Sequence, residues 1–159
     1  MLRRHTLAAL AAAAFAGACA TAPQPTDIVA TAARTPELST LSRLIVEAGL
    51  ADTLRAAGPF TVFAPTNDAF KAVPARTMEQ LAKDKELLKS VLAYHVVPGK
   101  VTAAQVTVGN AKTVQGANLA LGKAGAIVTV EDAMVVTPDV AVTNGVVHLI
   151  DRVLLPPRR

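Results

Sequence analysis

Two histidines, His95 and His148, are the only imidazoles that remain once the first nineteen residues are set aside. Imidazole is the side chain that most often moves protons or binds metals near neutral pH. Each ring alternates with apolar neighbours in a strand-like run, and a structural zinc site would require further ligands such as carboxylates. The apolar setting favours hydrogen-bonded, partly buried rings, so the sequence predicts neither a metal site nor a cofactor.

Nucleophiles suited to covalent catalysis are scarce in this chain. Its single cysteine is Cys19, and the serines Ser39, Ser42 and Ser90 all fall in predicted helices outside any Gly-x-Ser-x-Gly turn. The segment from Gly122 to Gly125 lacks the Lys-Ser/Thr pair that follows a phosphate-binding loop. These patterns indicate that the protein is not an enzyme.

Polar side chains beside two prolines are the better candidates for surface chemistry. Pro138 should hold the chain extended before a loop in which Asp139 is solvated and available to a partner's cation. The alternative interpretation makes Asp139 an ordinary turn residue. Asn67 and Asp68 follow a Pro65-Thr66 break, where such side chains typically cap the start of a helix.

Four aromatic residues follow the first nineteen residues: Phe60, Phe63, Phe70 and Tyr94. An apolar strand that runs into a helix is usually core, and burial of each ring contributes about 1.5 to 3 kcal/mol. A ligand pocket beside these rings is the competing hypothesis. So few rings offer no platform on which bases or sugars could stack.

The first nineteen residues have the features of a secretory signal peptide. Arg3 and Arg4 precede an apolar run from Leu7 to Ala18, which is too short to cross a bilayer. Cys19 follows Phe15-Ala16-Gly17-Ala18, which resembles the lipobox of bacterial lipoproteins, although Ala16 stands where leucine is commonest. Cys19 is therefore a candidate for lipid attachment, and several acyl chains would anchor the protein firmly.

Ordinary cleavage competes with lipidation, because Ala20-Thr21-Ala22 is an A-x-A site that would remove Cys19 with the leader. Residues 20–26 contain two prolines and read as a short tether. We therefore expect a signal peptide at 1–19, a tether at 20–26, one domain at 27–156 and a basic tail at 157–159.

Composition limits the class of protein further. The chain has 159 residues, 52% of them hydrophobic, with 16 Lys and Arg against 12 Asp and Glu. Two arginines at each end account for the excess of positive charge, which leaves the middle neutral. A neutral domain without clustered cations is not a nucleic-acid binder, and its apolar fraction suits one folded domain.

The pattern of elements predicts an α+β domain in which helices precede strands. Helical spacing runs from Asp27 to about Ala57, a buried strand covers Phe60 to Ala64, and the Thr77–Gln80 segment has capping-box spacing. A helix that starts near Asp84 ends before the Pro98-Gly99 turn. Short strands follow, with an Asn144-Gly145 hairpin as the strongest turn signal.

Three segments resemble, in order, the motifs of the fasciclin-like (FAS1) domain family. Phe60 to Phe70 is similar to its first signature, Tyr94-His95 to its tyrosine-histidine motif, and Thr143 to Asp151 to its second signature. The residues that carry these two signatures here are Phe63, Asn67, Asp68, Phe70, Asn144, Gly145 and His148. The resemblance covers about residues 27–156.

This resemblance implies a wedge-shaped β-sandwich with helices packed on one side, and a role in adhesion or matrix contact without catalysis. In animal members of the family, integrin binding has been attributed to an Asp-containing segment before the second signature and to the tyrosine-histidine region. Here those segments place Pro138, Asp139, Tyr94 and His95 as adhesion-surface candidates. The integrin itself is not carried over.

We therefore expect an exported, membrane-anchored adhesion module in the periplasm or at the cell surface, or a secreted one if Cys19 is removed. Its partner would be a surface or matrix protein or polysaccharide of unknown identity. The sequence leaves the oligomeric state open. The alternative function is a carrier in the cell envelope that holds a small apolar or lipid ligand beside Phe63, Phe70 and Tyr94.

Overall fold

The computed structural model describes residues 26–56 and 58–157. Six helices and a 3-10 turn fill the first half, and most of the strands lie in the second, as an α+β chain requires. The helices are α1 Ile28–Arg34, α2 Ser39–Glu47, α3 Ala51–Arg55, α4 Asn67–Lys71, α5 Ala75–Lys83 and α6 Lys85–Tyr94, with the 3-10 turn at Pro36–Leu38. The strands are β1 Phe60–Pro65, β2 Val96–Pro98, β3 Gly109–Lys112, β4 Asn118–Ala124, β5 Ile127–Val130, β6 Ala133–Val142 and β7 Gly145–Ile150.

Several helix ends match the sequence signals that predict them. Asp84 caps α6 by accepting hydrogen bonds from the amides of Glu86 and Leu87, each at 3.0 Å. The prediction at Thr77 was wrong: α5 begins at Ala75, directly after Pro74. Proline restricts its own backbone and the residue before it, and here it sets the helix start more strongly than a capping-box pattern.

One seven-stranded sheet forms the β layer, in the order β2-β1-β7-β6-β5-β4-β3. Among these seven described strands, only β1 and β7 pair in parallel, from Phe60 opposite Gly145 to Pro65 opposite Ile150. The two edges of the sheet approach each other, since the amide of Val114, just after β3, donates to the carbonyl of Val96 in β2 at 2.8 Å. The two layers of the expected sandwich are therefore halves of one continuous sheet.

Alternating residues of β1 and β7 serve two separate cores. Val62, Ala64, Val147 and Leu149 pack against the helices. Phe63 and Ile150 point to the other face, where they pack with β4 and β5. The helices thus cover one side of the central strands, and the β3–β5 half of the sheet covers the other.

Among residues 26–56 and 58–157, the helices are too short or too polar to span a bilayer. The predicted leader and Cys19 lie outside the described residues.

Candidate functional site

Strand β6 is interrupted by an outward bulge at Pro138 and Asp139. The register between β6 and β7 shifts between Val135 and Thr137 and again between Thr137 and Val140. Proline lacks the amide that regular pairing uses, so it suits a bulge within a strand. The predicted loop is thus corrected: Pro138 and Asp139 lie inside β6, and both are exposed.

The backbone and carboxylate of Asp139 are both held in place. Its φ is 56°, in the left-handed region that few residues other than glycine adopt. Its Oδ1 accepts a hydrogen bond from the amide of Ala103 at 2.7 Å, and its own amide donates to Nδ1 of His148 at 3.1 Å. The structure therefore fixes one carboxylate oxygen and leaves an exposed acid in a defined position.

His148 supports this bulge from the interior. The residue is 1% exposed, its ring stacks on Phe63 with 5.6 Å between centroids, and Nε2 lies 2.8 Å from the carbonyl of Val101. Because Nδ1 accepts from Asp139, Nε2 carries the proton and donates to Val101. One neutral ring thus connects β7, the bulge of β6 and the loop after β2.

His95 plays a similar role at the end of α6. Its ring is buried, with Nδ1 2.7 Å from the carbonyl of Val91 and Nε2 accepting from the amide of Leu154 at 2.9 Å. Nδ1 therefore carries the proton and the ring is neutral. Burial lowers the pKa of His95 from 6.5 to about 4, an effect only partly opposed by the Val91 carbonyl.

Tyr94 is also buried, and its hydroxyl lies 3.2 Å from the carbonyl of Asn118 and 3.3 Å from a carboxylate oxygen of Glu131. Burial, followed by the negative charge of Glu131, raises the pKa of Tyr94. Since Tyr94 and His95 both lie in the interior, the expectation that their rings form part of an adhesion surface is corrected. Of the four candidates, only Pro138 and Asp139 are at the surface.

Asn67 and Asp68, the polar residues of the first signature that were predicted to cap α4, do not provide its cap. Thr66 caps α4, with its hydroxyl 3.4 Å from the amide of Ala69. Asn67 instead reaches the preceding helices: Oδ1 accepts from the amide of Thr40 at 3.1 Å, and Nδ2 donates to the carbonyl of Pro36 at 2.9 Å. Asp68 is exposed and pairs with Lys71 at 2.8 Å.

The second-signature turn is built around Asn144. Its Oδ1 accepts from the amide of Ile28 at 3.2 Å, and its Nδ2 donates to the carbonyl of Leu54. The two turn residues are Thr143 and Asn144, with Gly145 already paired to Val142 in the sheet. The predicted hairpin is present, but its turn lies one residue earlier than the Asn-Gly pattern indicates.

The aromatic rings do not surround a common space. Phe63 and Tyr94 belong to the core between the two halves of the sheet, whereas Phe70 belongs to the core under the helices. The pocket expected beside all three rings is therefore not formed by them.

Metal-binding clusters are also missing from the described part of the chain: no three His, Cys, Asp or Glu side chains converge there. Both ring nitrogens of His95 and of His148 are occupied by hydrogen bonds within the protein. These rings have no free lone pair to offer a metal.

Sequence reasoning missed three contributors to the site. The amide of Ala103 and the carbonyl of Val101 come from a loop about forty residues away in the chain, and backbone groups leave no mark in a sequence. Glu131 was missed as well; its carboxylate accepts from the amide of Ala120 at 2.7 Å and holds Tyr94. Its place between two predicted short strands was the only available signal.

Comparisons with known proteins agree with this geometry. Residues 36–156 match the family model described as "Fasciclin domain". The chain is 48% identical over 132 residues to protein sll1483 of Synechocystis, covering 82% of this chain and 73% of that protein. It is 44% identical over 137 residues to immunogenic protein MPB70 of Mycobacterium bovis, covering 82% and 70% of the two chains.

A third relative is the cell surface glycolipoprotein MPB83 of Mycobacterium bovis, at 43% identity over 82% of this chain and 61% of that protein. Among solved structures, the FAS1 domain pair of the insect cell adhesion molecule fasciclin I superposes with a TM-score of 0.62. That match has 23% identity and covers 74% of this chain and 45% of the other, so it speaks for the fold alone.

Proposed function

This chain belongs to the fasciclin domain family, and on that premise we propose that it is an exported, non-catalytic recognition module of the adhesion type. Two relatives support the proposal by their names, one as an immunogenic protein and one as a cell surface glycolipoprotein. The leader-like first nineteen residues favour export as well.

The β6 bulge is the observation that carries this proposal. An exposed non-glycine residue in the left-handed region is costly to maintain, and such residues concentrate at functional sites. Here the conformation of Asp139 is held by buried His148 and by the amide of Ala103. A carboxylate positioned in this way suits a cationic group on a partner, because little ordering entropy remains to be lost on binding.

Apolar side chains on the same strand extend the proposed contact surface. Met134 is 45% exposed and Val136 is 60% exposed, four and two residues before Pro138 along β6. Exposed apolar residues next to a fixed polar group are typical of surfaces that bind proteins. We therefore expect a surface or matrix protein, or a polysaccharide, that carries positive charge beside an apolar region.

Asp139→Asn tests the role of the charge. Asparagine tolerates the left-handed conformation and keeps an oxygen for the Ala103 amide, so the free energy of unfolding should change by less than about 0.5 kcal/mol. Attachment of the exported protein to cell-envelope or matrix preparations should fall several-fold. Asp132→Asn, at the exposed β5–β6 turn, is the matched control and should attach like the wild type. Equal attachment of the Asp139 variant would remove this residue from the site.

We further propose that the protein is held at the membrane through lipid on Cys19. A thiol at the end of the apolar run is the chemical requirement for a thioether-linked diacylglyceryl group, and the cysteine of this chain stands there. Replacement of Cys19 by alanine should move the protein from the membrane fraction to the soluble exported fraction. Wild-type protein that is already fully soluble after export would contradict the anchor and favour cleavage at Ala20-Thr21-Ala22.

A further inference from the structure

The last described residues form what we call the C-terminal strap, residues 152–157. This segment has no helix or strand, yet Leu154 is only 3% exposed and packs into the core between the two halves of the sheet. Within the described residues, the strap makes one hydrogen bond to the rest of the domain, from the amide of Leu154 to Nε2 of His95. Besides Leu154, the half-buried Val153 packs against the core under the helices, so two apolar side chains and one acceptor nitrogen hold the strap.

That acceptor exists only while His95 is neutral. Nδ1 already donates its proton to the carbonyl of Val91, so the lone pair that receives the Leu154 amide is the one that protonation would fill. A protonated ring would point an N–H at another N–H across 2.9 Å. The same event would thus remove the hydrogen bond and place a positive charge in the interior.

This charge would have no acidic partner, because both described hydrogen bonds of the His95 ring are to backbone groups. The charged residues of helix α6 are Lys85, Glu86 and Lys89, all six or more residues before His95, and the Tyr94 hydroxyl points to Asn118 and Glu131 instead of the imidazole. Strands β1 and β2 contain no charged residue. The strap itself contributes Arg152, whose charge has the same sign as a protonated ring.

Open space on both sides allows the strap to move. A cavity of about 490 Å³ lies between the strap and Tyr94, Asn118 and Glu131. A second cavity, of about 340 Å³, lies between the strap and Ala69 and Val73. A segment bordered by cavities can leave its place without displacing a packed element.

We propose that His95 is an acid-sensitive clasp: protonation of its ring releases the C-terminal strap and uncovers the apolar surface under Leu154, while the rest of the domain stays folded. This switch is independent of the recognition role of the β6 bulge.

Nuclear magnetic resonance of the purified exported protein tests the clasp by following three signals with pH. The His95 ring should titrate near pH 4. The exchange protection of the Leu154 amide, corrected for intrinsic rates, should fall about tenfold or more over the same interval. The Val147 amide, in the central strand β7, should stay protected.

His95→Gln is the matched variant, because glutamine supplies an acceptor for the Leu154 amide and does not titrate. In this variant the Leu154 amide should keep its protection at pH 4. A Leu154 amide that stays protected while the ring is charged would overturn the clasp, as would loss of protection at Leu154 and Val147 together. If the variant fails to fold, coincidence of the ring and amide titrations in the wild type still decides.

Discussion

At the scale of single residues, Gly145 stands where no side chain fits. A Cβ added there would lie 1.8 Å from the carbonyl oxygen of Phe60 and 2.8 Å from its amide nitrogen, both backbone atoms of the paired strand. Gly145→Ala must therefore displace β1 from β7 at the first pair of their ladder, and we expect a loss of more than about 3 kcal/mol in the free energy of unfolding.

Chemical denaturation measures that loss, and Gly109→Ala provides its control. Gly109 also lies in a strand, but a Cβ added there meets no atom within 4 Å. The control should unfold within about 1 kcal/mol of the wild type. Equal effects of the two substitutions would show that the approach of Phe60 to Gly145 is not what limits this position.

His95 gives the stability of the whole domain a dependence on pH. Its pKa is about 4 in the folded protein and 6.5 in the unfolded chain, so between these values the unfolded state binds more protons. The contribution is present above pH 6.5 and is lost as the pH falls towards 4, by about 3 kcal/mol in total. Urea unfolding at a series of pH values should show this slope, and His95→Gln should flatten it.

The sequence predicted that the two histidine rings are partly buried and hydrogen-bonded, but it did not predict which groups they bond to. Apolar alternation around His95 and His148 indicated rings held by internal hydrogen bonds, and the structure gives each ring two such bonds. It could not indicate that Asp139, Ala103 and His148 meet, since this depends on a bulge and on a backbone amide. The sequence therefore predicted Asp139 as a site residue, but it did not predict the group of residues that holds Asp139 in place.

At the scale of elements, Asn67 links the start of α4 to the start of α2. Its side chain accepts from the amide of Thr40, in the first turn of α2 where helix amides lack backbone partners, and donates to the carbonyl of Pro36. Asn67→Ala should lower the free energy of unfolding by about 1 to 2 kcal/mol, measured by thermal or chemical denaturation. The neighbouring Asp68→Ala, which removes only an exposed pair with Lys71, should cost less than about 0.5 kcal/mol.

The order of elements followed from spacing, while their boundaries depended on tertiary contacts. Helical spacing before Gly58 and the Val- and Thr-rich strands after Gly99 placed the two halves of the fold correctly. The hairpin turn fell one residue early because Asn144 is used as a bridge to Ile28 and Leu54, and Gly145 as a point of close approach to Phe60. At both positions, tertiary contacts and not the local turn preference of Asn-Gly determined where the turn lies.

At the scale of the molecule, the composition indicated one folded domain, and within that domain the structure has two cores. The division arises because β1 and β7 are buried on both faces. Continuous apolar runs in a sequence are typical of such strands. The closing contact between Val114 and Val96 has no sequence signal, since it joins two backbone groups at opposite edges of the sheet.

The parallel pair of β1 with β7 has a consequence for how the chain is made. Strand β1 ends at Pro65, yet its partner β7 is the last of the seven described strands along the chain and begins some eighty residues later. Until that strand emerges, the middle of the future sheet has an open edge, and the growing polypeptide cannot close its interior. A chain that still lacks β7 therefore cannot form this sheet, and a polypeptide that crosses a membrane before β7 emerges presents no completed sheet to unfold.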